Sequence, residues 1–243
     1  MKITVIASIF GNLEVVKECM DSWFPLPKNW DLIVYNNQVS DIDGTSEYVR
    51  KKQEEYKFLL IEDGKTRRHP EAINMLINKC QGEWILHLDS DAKLIDSSFY
   101  ERMERYLEGT SFKVWGRIHR RVRTDLKEKS KSMEDYFLYM IRAHQWILMF
   151  DKKFVNELNL DFGDFYGNLE ISSGCTASRQ IDSTKNITIF ADTGWRLYWE
   201  SAVRDLFGRF PDEVFKCWEH KNNASCRWYE KNKDKIGKIN WAN

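Results

Sequence analysis

The chain opens on KITVIASI, an apolar, β-branched run from Lys2 to Ile9 that stops at Gly11-Asn12. Such a run predicts a buried strand followed by a helix start, and Leu13, Val16, Met20 and Trp23 then recur at helical spacing. DLIVY, from Asp31, predicts a second strand. The polar turn NNQVSDIDGT follows it, and Tyr48, Val49 and Tyr56 mark a second helical segment. KFLLIE predicts a third, short strand. After the loop DGKTRRH, Pro70 in a first helical position opens a helix carrying Ala72, Ile73, Leu76, Ile77 and Cys80, which Gly82 stops. EWILHL then predicts a fourth strand, ending at Asp89.

Strands and helices that alternate through short connections predict an α/β domain with a doubly wound, mostly parallel sheet covered by helices on both faces. In such sheets ligands bind beyond the carboxyl ends of the strands. Asp89 and Asp91 lie at one of those ends. The second half is less regular. A helix near residues 97–108, a strand FKVWGRI from Phe112 and helical patterns at Met133–Arg142 and around Trp195–Leu206 are expected. The charged stretch RIHRRVRTDLKEKSKS reads as a solvated loop, and the tail from Lys221 is polar and ends lysine-rich. No repeat, low-complexity tract or linker divides the chain, which predicts a single domain over residues 1–243.

Composition narrows this reading only a little. Thirty-seven basic residues balance 37 acidic ones, so no global field marks a nucleic-acid or membrane-surface binder. Five widely spread cysteines without a CxxC pair point to a reducing, cytoplasmic compartment. No apolar run approaches the roughly 18 residues of a membrane span. Aromatic residues make up 14% of the chain. Most read as core, although Trp195, Tyr198 and Trp199 would also suit the face of a sugar ring.

The chemistry concentrates at ILHLDSDAKL. Two carboxylates as close as Asp89 and Asp91 cost free energy unless solvent, hydrogen-bond donors or a cation lies between them. Mg²⁺ and Mn²⁺ take oxygen ligands and complete their shell with substrate phosphates, which makes an ion one solution and plain solvation the other.

Several elements taken together resemble the family 2 glycosyltransferases, which share the GT-A fold. The resemblance rests on Ile3-Thr4-Val5-Ile6, on NNQVSDIDGT ending in Asp43-Gly44-Thr45, on RRHPEAIN ending in Asn74, and on GEWILHLDSD. It is good over residues 1–110 and faint beyond. It implies a Rossmann-like GT-A domain, with residues 1–110 forming the nucleotide-sugar donor half and 111–243 the acceptor half and tail. The implied reaction is metal-dependent, inverting transfer of a sugar from a nucleoside-diphosphate sugar, with a UDP-sugar favoured, to a hydroxyl acceptor. A glycan is the first expectation for that acceptor, and a modified nucleic acid stays open. The cofactor would be Mn²⁺ or Mg²⁺. A cytoplasmic enzyme, or one recruited peripherally to a membrane, is expected.

Residue by residue, the resemblance implies that Asp89 and Asp91 hold the metal and the donor, with Asp91 the direct ligand. Ala7, Ser8 and Ile9 would border the nucleotide. Asn36 and Asn37 stand where the family commonly carries an acidic residue that holds the base, so an amide would read it here. Arg67, with Arg68, would lie near the diphosphate, or face water as a loop arginine, and Asn74 closes the helix motif. His220, followed by Ser225, resembles the late histidine that completes the metal site. A zinc site of Cys217, His220 and Cys226 lacks a fourth ligand.

The general base would be Asp192, with Asp164, Glu170 and Glu200 as rivals. His69, in place of the family's small residues, would approach the donor or cap the helix in solvent, and His87 reads as a core or sheet-face histidine. The basic run Arg117, His119, Arg120, Arg121 and Arg123 would contact a polyanionic acceptor or simply face water. Two other classes remain: a non-catalytic nucleotide- or sugar-binding protein, and a nucleotidyltransferase. The second would carry a Gly-rich basic loop after the first strand, where SIFGNLE has one glycine and no basic residue.

Overall fold

The computed structural model describes residues 1–38, 40–67, 69–120, 141–159 and 195–221, with single positions 224, 227, 228, 231 and 232. In chain order the first half runs β1 (Ile3–Ile9), α1 (Leu13–Ser22), β2 (Trp30–Asn36), α2 (Thr45–Tyr56), β3 (Leu59–Ile61), α3 (His69–Lys79), β4 (Trp84–Asp89), β5 (Ala92–Leu94) and α4 (Ser98–Leu107). The second half adds β6 (Val114–Arg120), β7 (Ile141–Asp151), α5 (Lys152–Glu157), α6 (Trp195–Ala202), β8 (Phe207–Arg209), α7 (Asp212–Phe215) and β9 (Trp218–His220).

The main sheet has the order β3-β2-β1-β4-β7-β6-β8. β1 is parallel to both β2 and β4, and β2 to β3, while β7 runs antiparallel between β4 and β6. The seven-stranded sheet is therefore mostly parallel, as the alternating pattern predicts. Because β1 feeds β2 on one side and has β4 on the other, the strand order reverses there. That reversal opens a crevice at the carboxyl ends of β1 and β4.

Alternate residues of each central strand bury on opposite faces. Ile3, Val5, Ala7 and Ile9 of β1 join one cluster with Val16 and Met20 of α1, Val49 of α2, and Phe99 and Met103 of α4. Ile6 of β1, Ile33 of β2 and Ile85 of β4 join the other with Ala72, Ile73, Leu76 and Ile77 of α3. Both faces are covered, which is why these strands read as continuous apolar runs rather than alternating ones. Gly82 does more than stop α3. Its N–H donates to Thr4 Oγ1 at 3.0 Å, and a Cβ there would lie 2.8 Å from the Thr4 nitrogen, so only glycine lets the turn before β4 close on β1.

The second half corrects two expectations. Ile141 and Arg142 begin β7 instead of ending a helix, and residues 133–140 lie outside the described residues. The apolar run Trp146–Phe150 suits a buried strand and a buried helix equally, and periodicity alone does not separate them. The expected strand from Phe112 runs on past Ile118, so His119 and Arg120 belong to β6 and not to a solvated loop, because β7 pairs with Ile118, His119 and Arg120.

Candidate functional site

β4 delivers Asp89 to the crevice in register with Ser8 of β1. The chain then turns at Ser90-Asp91 into β5, so Asp91 leaves the pleat and is free of strict strand alternation. β5 pairs antiparallel with β9, placing Ala92 opposite His220. This two-stranded bridge carries a late residue to the end of an early strand. His220 Nε2 sits 3.0 Å from Asp91 Oδ1.

Asp91 is 4% exposed, and a carboxylate that deep needs partners. Its Oδ2 accepts the Ala224 N–H at 3.1 Å, and its carbonyl accepts the Lys221 N–H at 3.0 Å. The Trp146 indole of β7 stacks on the His220 ring, centroids 5.1 Å apart and planes 15° from parallel, which fixes the imidazole from behind. Ligand atoms of Asp89, Asp91 and His220 all lie within 4.8 Å of one another. Two carboxylates and an imidazole make an oxygen-rich donor set that fits Mn²⁺, and Mg²⁺ less well.

A second group of three meets at the same carboxylate. His69 Nε2 and His87 Nε2 each lie 3.6 Å from Asp89 Oδ1. Burial pushes the His69 pKa down to about 4 against the opposing pull of the Asp91 carboxylate, leaving the ring neutral near pH 7.

Around this centre, Ala7, Ser8 and Ile9 are buried at the end of β1, and Ile9 pairs with Asn36 across to β2. The Asn37 N–H donates to the Ile9 carbonyl at 2.8 Å, and its side chain makes a double link to the Arg67 backbone, Nδ2 to O at 2.8 Å and Oδ1 from N at 2.6 Å. Asn36 donates to Glu62 Oε1 at 2.6 Å, while its buried Oδ1 has no hydrogen-bond partner among the described residues. The Arg67 guanidinium lies 2.5 Å from both Asp63 Oδ2 and the Tyr35 hydroxyl. Asn74 is half-buried on α3. Glu200 is half-buried on α6 and pairs with Arg204 at 3.2 Å. Asp192, Asp164, Glu170, Arg68, Arg121, Arg123, Ser225 and Cys226 lie outside the described residues.

The turn at Asp43-Gly44-Thr45 has a mechanical basis. One Asp43 oxygen accepts the N–H groups of Asn12 and Leu13 at 2.7 and 3.1 Å, and the other accepts the Thr45 N–H at 3.2 Å and its hydroxyl at 2.6 Å. A single carboxylate thus serves the open N-termini of α1 and α2. Trp146 and Trp228 were not singled out by the sequence pattern. Trp228 packs edge-on to Phe10 at 6.0 Å and covers Gly11, where a Cβ would overlap its indole. Asn12 Nδ2 adds a hydrogen bond to the Ala224 carbonyl at 3.2 Å. No local signal reports such contacts, because they arise only when the tail folds back over the end of β1.

A family model described as glycosyl transferase family 2 matches residues 4–207, most of the chain. The chain belongs to glycosyl transferase family 2. No curated protein sequence matches it. Among solved structures, residues 1–349 of TarS from S. aureus in complex with UDP share 14% identity, with 88% of this chain and 62% of that one covered and a TM-score of 0.52. The same TarS segment with UDP-GlcNAc shares 15% identity over 67% of this chain and 48% of that one, TM-score 0.50. The mannosyltransferase PcManGT from Pyrobaculum calidifontis, in complex with GDP-Man and Mn²⁺, shares 18% identity over 65% of this chain and 46% of that one, TM-score 0.49. This family 2 chain therefore spans about half the length of the solved structures it matches. At such identities the TarS likeness is one of fold, the GT-A fold. Among the described residues, no helix of this family member is long and apolar enough to cross a membrane.

Proposed function

We propose that this chain is a metal-dependent, inverting glycosyltransferase that moves a sugar from a nucleoside-diphosphate sugar to a hydroxyl acceptor. The observation that carries the reading is the convergence of Asp89, Asp91 and His220 within 4.8 Å at the crevice between β1 and β4. These residues would hold Mn²⁺, or Mg²⁺, and a divalent ion there offsets the negative charge of a departing diphosphate. Ala7, Ser8 and Ile9 border the nucleotide. The buried Asn36 Oδ1 supports a role in reading the base, since an unsatisfied buried acceptor costs about 1–3 kcal/mol that an N–H of the base would recover.

Asp192 is the proposed general base. It takes the proton of the acceptor hydroxyl as that oxygen attacks the anomeric carbon from the face opposite the diphosphate, and the bond to the diphosphate oxygen breaks with its electron pair. UDP-sugars are the first donors to test, a glycan is the first acceptor class, and a cytoplasmic location belongs to the same proposal. Buried free thiols at Cys19, Cys80 and Cys217 are in keeping with that location.

The test is slow donor hydrolysis against a panel of nucleoside-diphosphate sugars with Mn²⁺ or Mg²⁺, wild type beside Asp91→Asn and Asp192→Asn. Release of nucleoside diphosphate from one donor, lost in Asp91→Asn, is expected, together with acceptor transfer lost in Asp192→Asn. Metal-dependent donor binding without turnover on any acceptor would replace the transferase by a sugar-nucleotide binding protein. Absence of any metal-dependent donor binding would overturn both.

A further inference from the structure

The three-residue cluster of His69, His87 and Asp89 is not absorbed by the transferase reading, which uses Asp89 but neither histidine. Its assembly follows from the fold. His87 and Asp89 are two residues apart on β4, so their side chains share one face, the face on which Ile85 joins the core under α3. α3 covers that face and begins at His69. The first turn of the helix therefore sets a second imidazole over the carboxyl end of the strand.

We propose that His69, His87 and Asp89 form a second, nitrogen-rich cation site that takes a divalent ion of the zinc class. Zinc bonds of about 2.0–2.2 Å to nitrogen and oxygen in a tetrahedron put neighbouring ligand atoms roughly 3.4 Å apart. Each imidazole nitrogen already stands 3.6 Å from Asp89 Oδ1. All three ligand atoms fall within 4.8 Å, and the two rings have centroids 5.3 Å apart. Rotation of His69 closes the remaining nitrogen–nitrogen edge. Its side chain is 16% exposed where that of His87 is 2%, so His69 is the less enclosed of the two imidazoles.

Two imidazoles and one carboxylate favour Zn²⁺, Co²⁺ or Fe²⁺ over Mg²⁺, whereas the Asp91 and His220 side of the same carboxylate is richer in oxygen. Three protein ligands leave a position for water or an anion, and Asp89 places that position beside the one proposed for the donor diphosphate. The two sites thus differ in metal preference while sharing one ligand. The proposal goes beyond the transferase reading, and its test uses no donor.

Purified chain stripped by a chelator is titrated with Zn²⁺ by calorimetry and with Co²⁺ by visible absorption, for wild type, His69→Gln, His87→Gln, Asp91→Asn and His220→Gln, each checked for folding by circular dichroism. Zn²⁺ binding in wild type is expected, with the intense visible bands of a low-coordinate Co²⁺ complex. His69→Gln should weaken binding at least about tenfold, the scale on which even an outer-sphere partner of a metal counts. Asp91→Asn and His220→Gln should keep the ion and the Co²⁺ bands. No Zn²⁺ binding in wild type overturns the site. So does binding that survives His69→Gln and disappears in His220→Gln, which would assign the ion to Asp91 and His220. If the histidine variants misfold, anomalous diffraction at the zinc edge from wild-type crystals soaked in Zn²⁺ decides by where the ion sits.

Discussion

Single residues in this protein often serve two elements at once, and Asp43 does so most plainly. Its two oxygens accept from the starts of both α1 and α2. A helix N-cap is worth about 1 kcal/mol, so Asp43→Ala is expected to cost about 2 kcal/mol. Urea denaturation checks this, and a loss below half that value would mean that water replaces the carboxylate. Cys19 and Cys80 carry a different residue-scale prediction. Burial pushes both thiols up to about 12 from an ordinary value near 9. An acid with a raised pKa yields less thiolate at every pH below it. In the folded protein, alkylation of either cysteine should be slow at pH 8 and should rise with pH without levelling near 9. Mass spectrometry of the iodoacetamide adducts follows it, and a plateau near pH 9 would contradict the burial of these thiols. Fast labelling in urea supplies the control.

At the scale of elements, the site depends on two late segments returning to early ones. β9 pairs with β5 and brings His220 to Asp91, while Trp228 closes on the turn after β1. Gly11 sits at φ +64°, a conformation that costs a residue with a Cβ about 1–2 kcal/mol. Gly11→Ala should therefore destabilise by more than that, since the added methyl also meets the Trp228 indole. In the double variant with Trp228→Ala the steric part is relieved and the φ cost stays. A double-mutant cycle should then show coupling of at least about 0.5 kcal/mol, and additive losses would place Trp228 elsewhere in solution.

For the whole molecule, the proposed Asp89, Asp91 and His220 site exists only when both halves are folded, because its ligands come from β4, the turn after it and β9. An ion bound there stabilises the native state alone. At about a hundredfold excess over its dissociation constant the gain is about 2.7 kcal/mol. For a chain of this length that raises the melting temperature by roughly 5–10 °C. Thermal melts with and without Mn²⁺ should show the rise in wild type and lose it in Asp91→Asn. An equal rise in the variant would put the ion at another place.

The pattern along the chain was sufficient for β1 to β4 and the helices between them, because strands buried on both faces and helices with one apolar face are written in local runs of a few residues. The same local logic placed Asp89 and Asp91 at a strand end. It did not reveal β7, since the run Trp146–Phe150 is apolar without a period, nor the continuation of β6 through His119 and Arg120, whose pairing is supplied by β7. His87 and His69 read as separate residues until β4 and α3 were stacked, and only then did they meet at Asp89. The sequence by itself determined which segments are strands and helices in the donor half and which residues carry charge at their ends. Which of those charges share a cation, and which tail residue joins them, was decided by the tertiary structure, because contacts between distant segments depend on how sheets pair and fold back, and no local pattern encodes that distance.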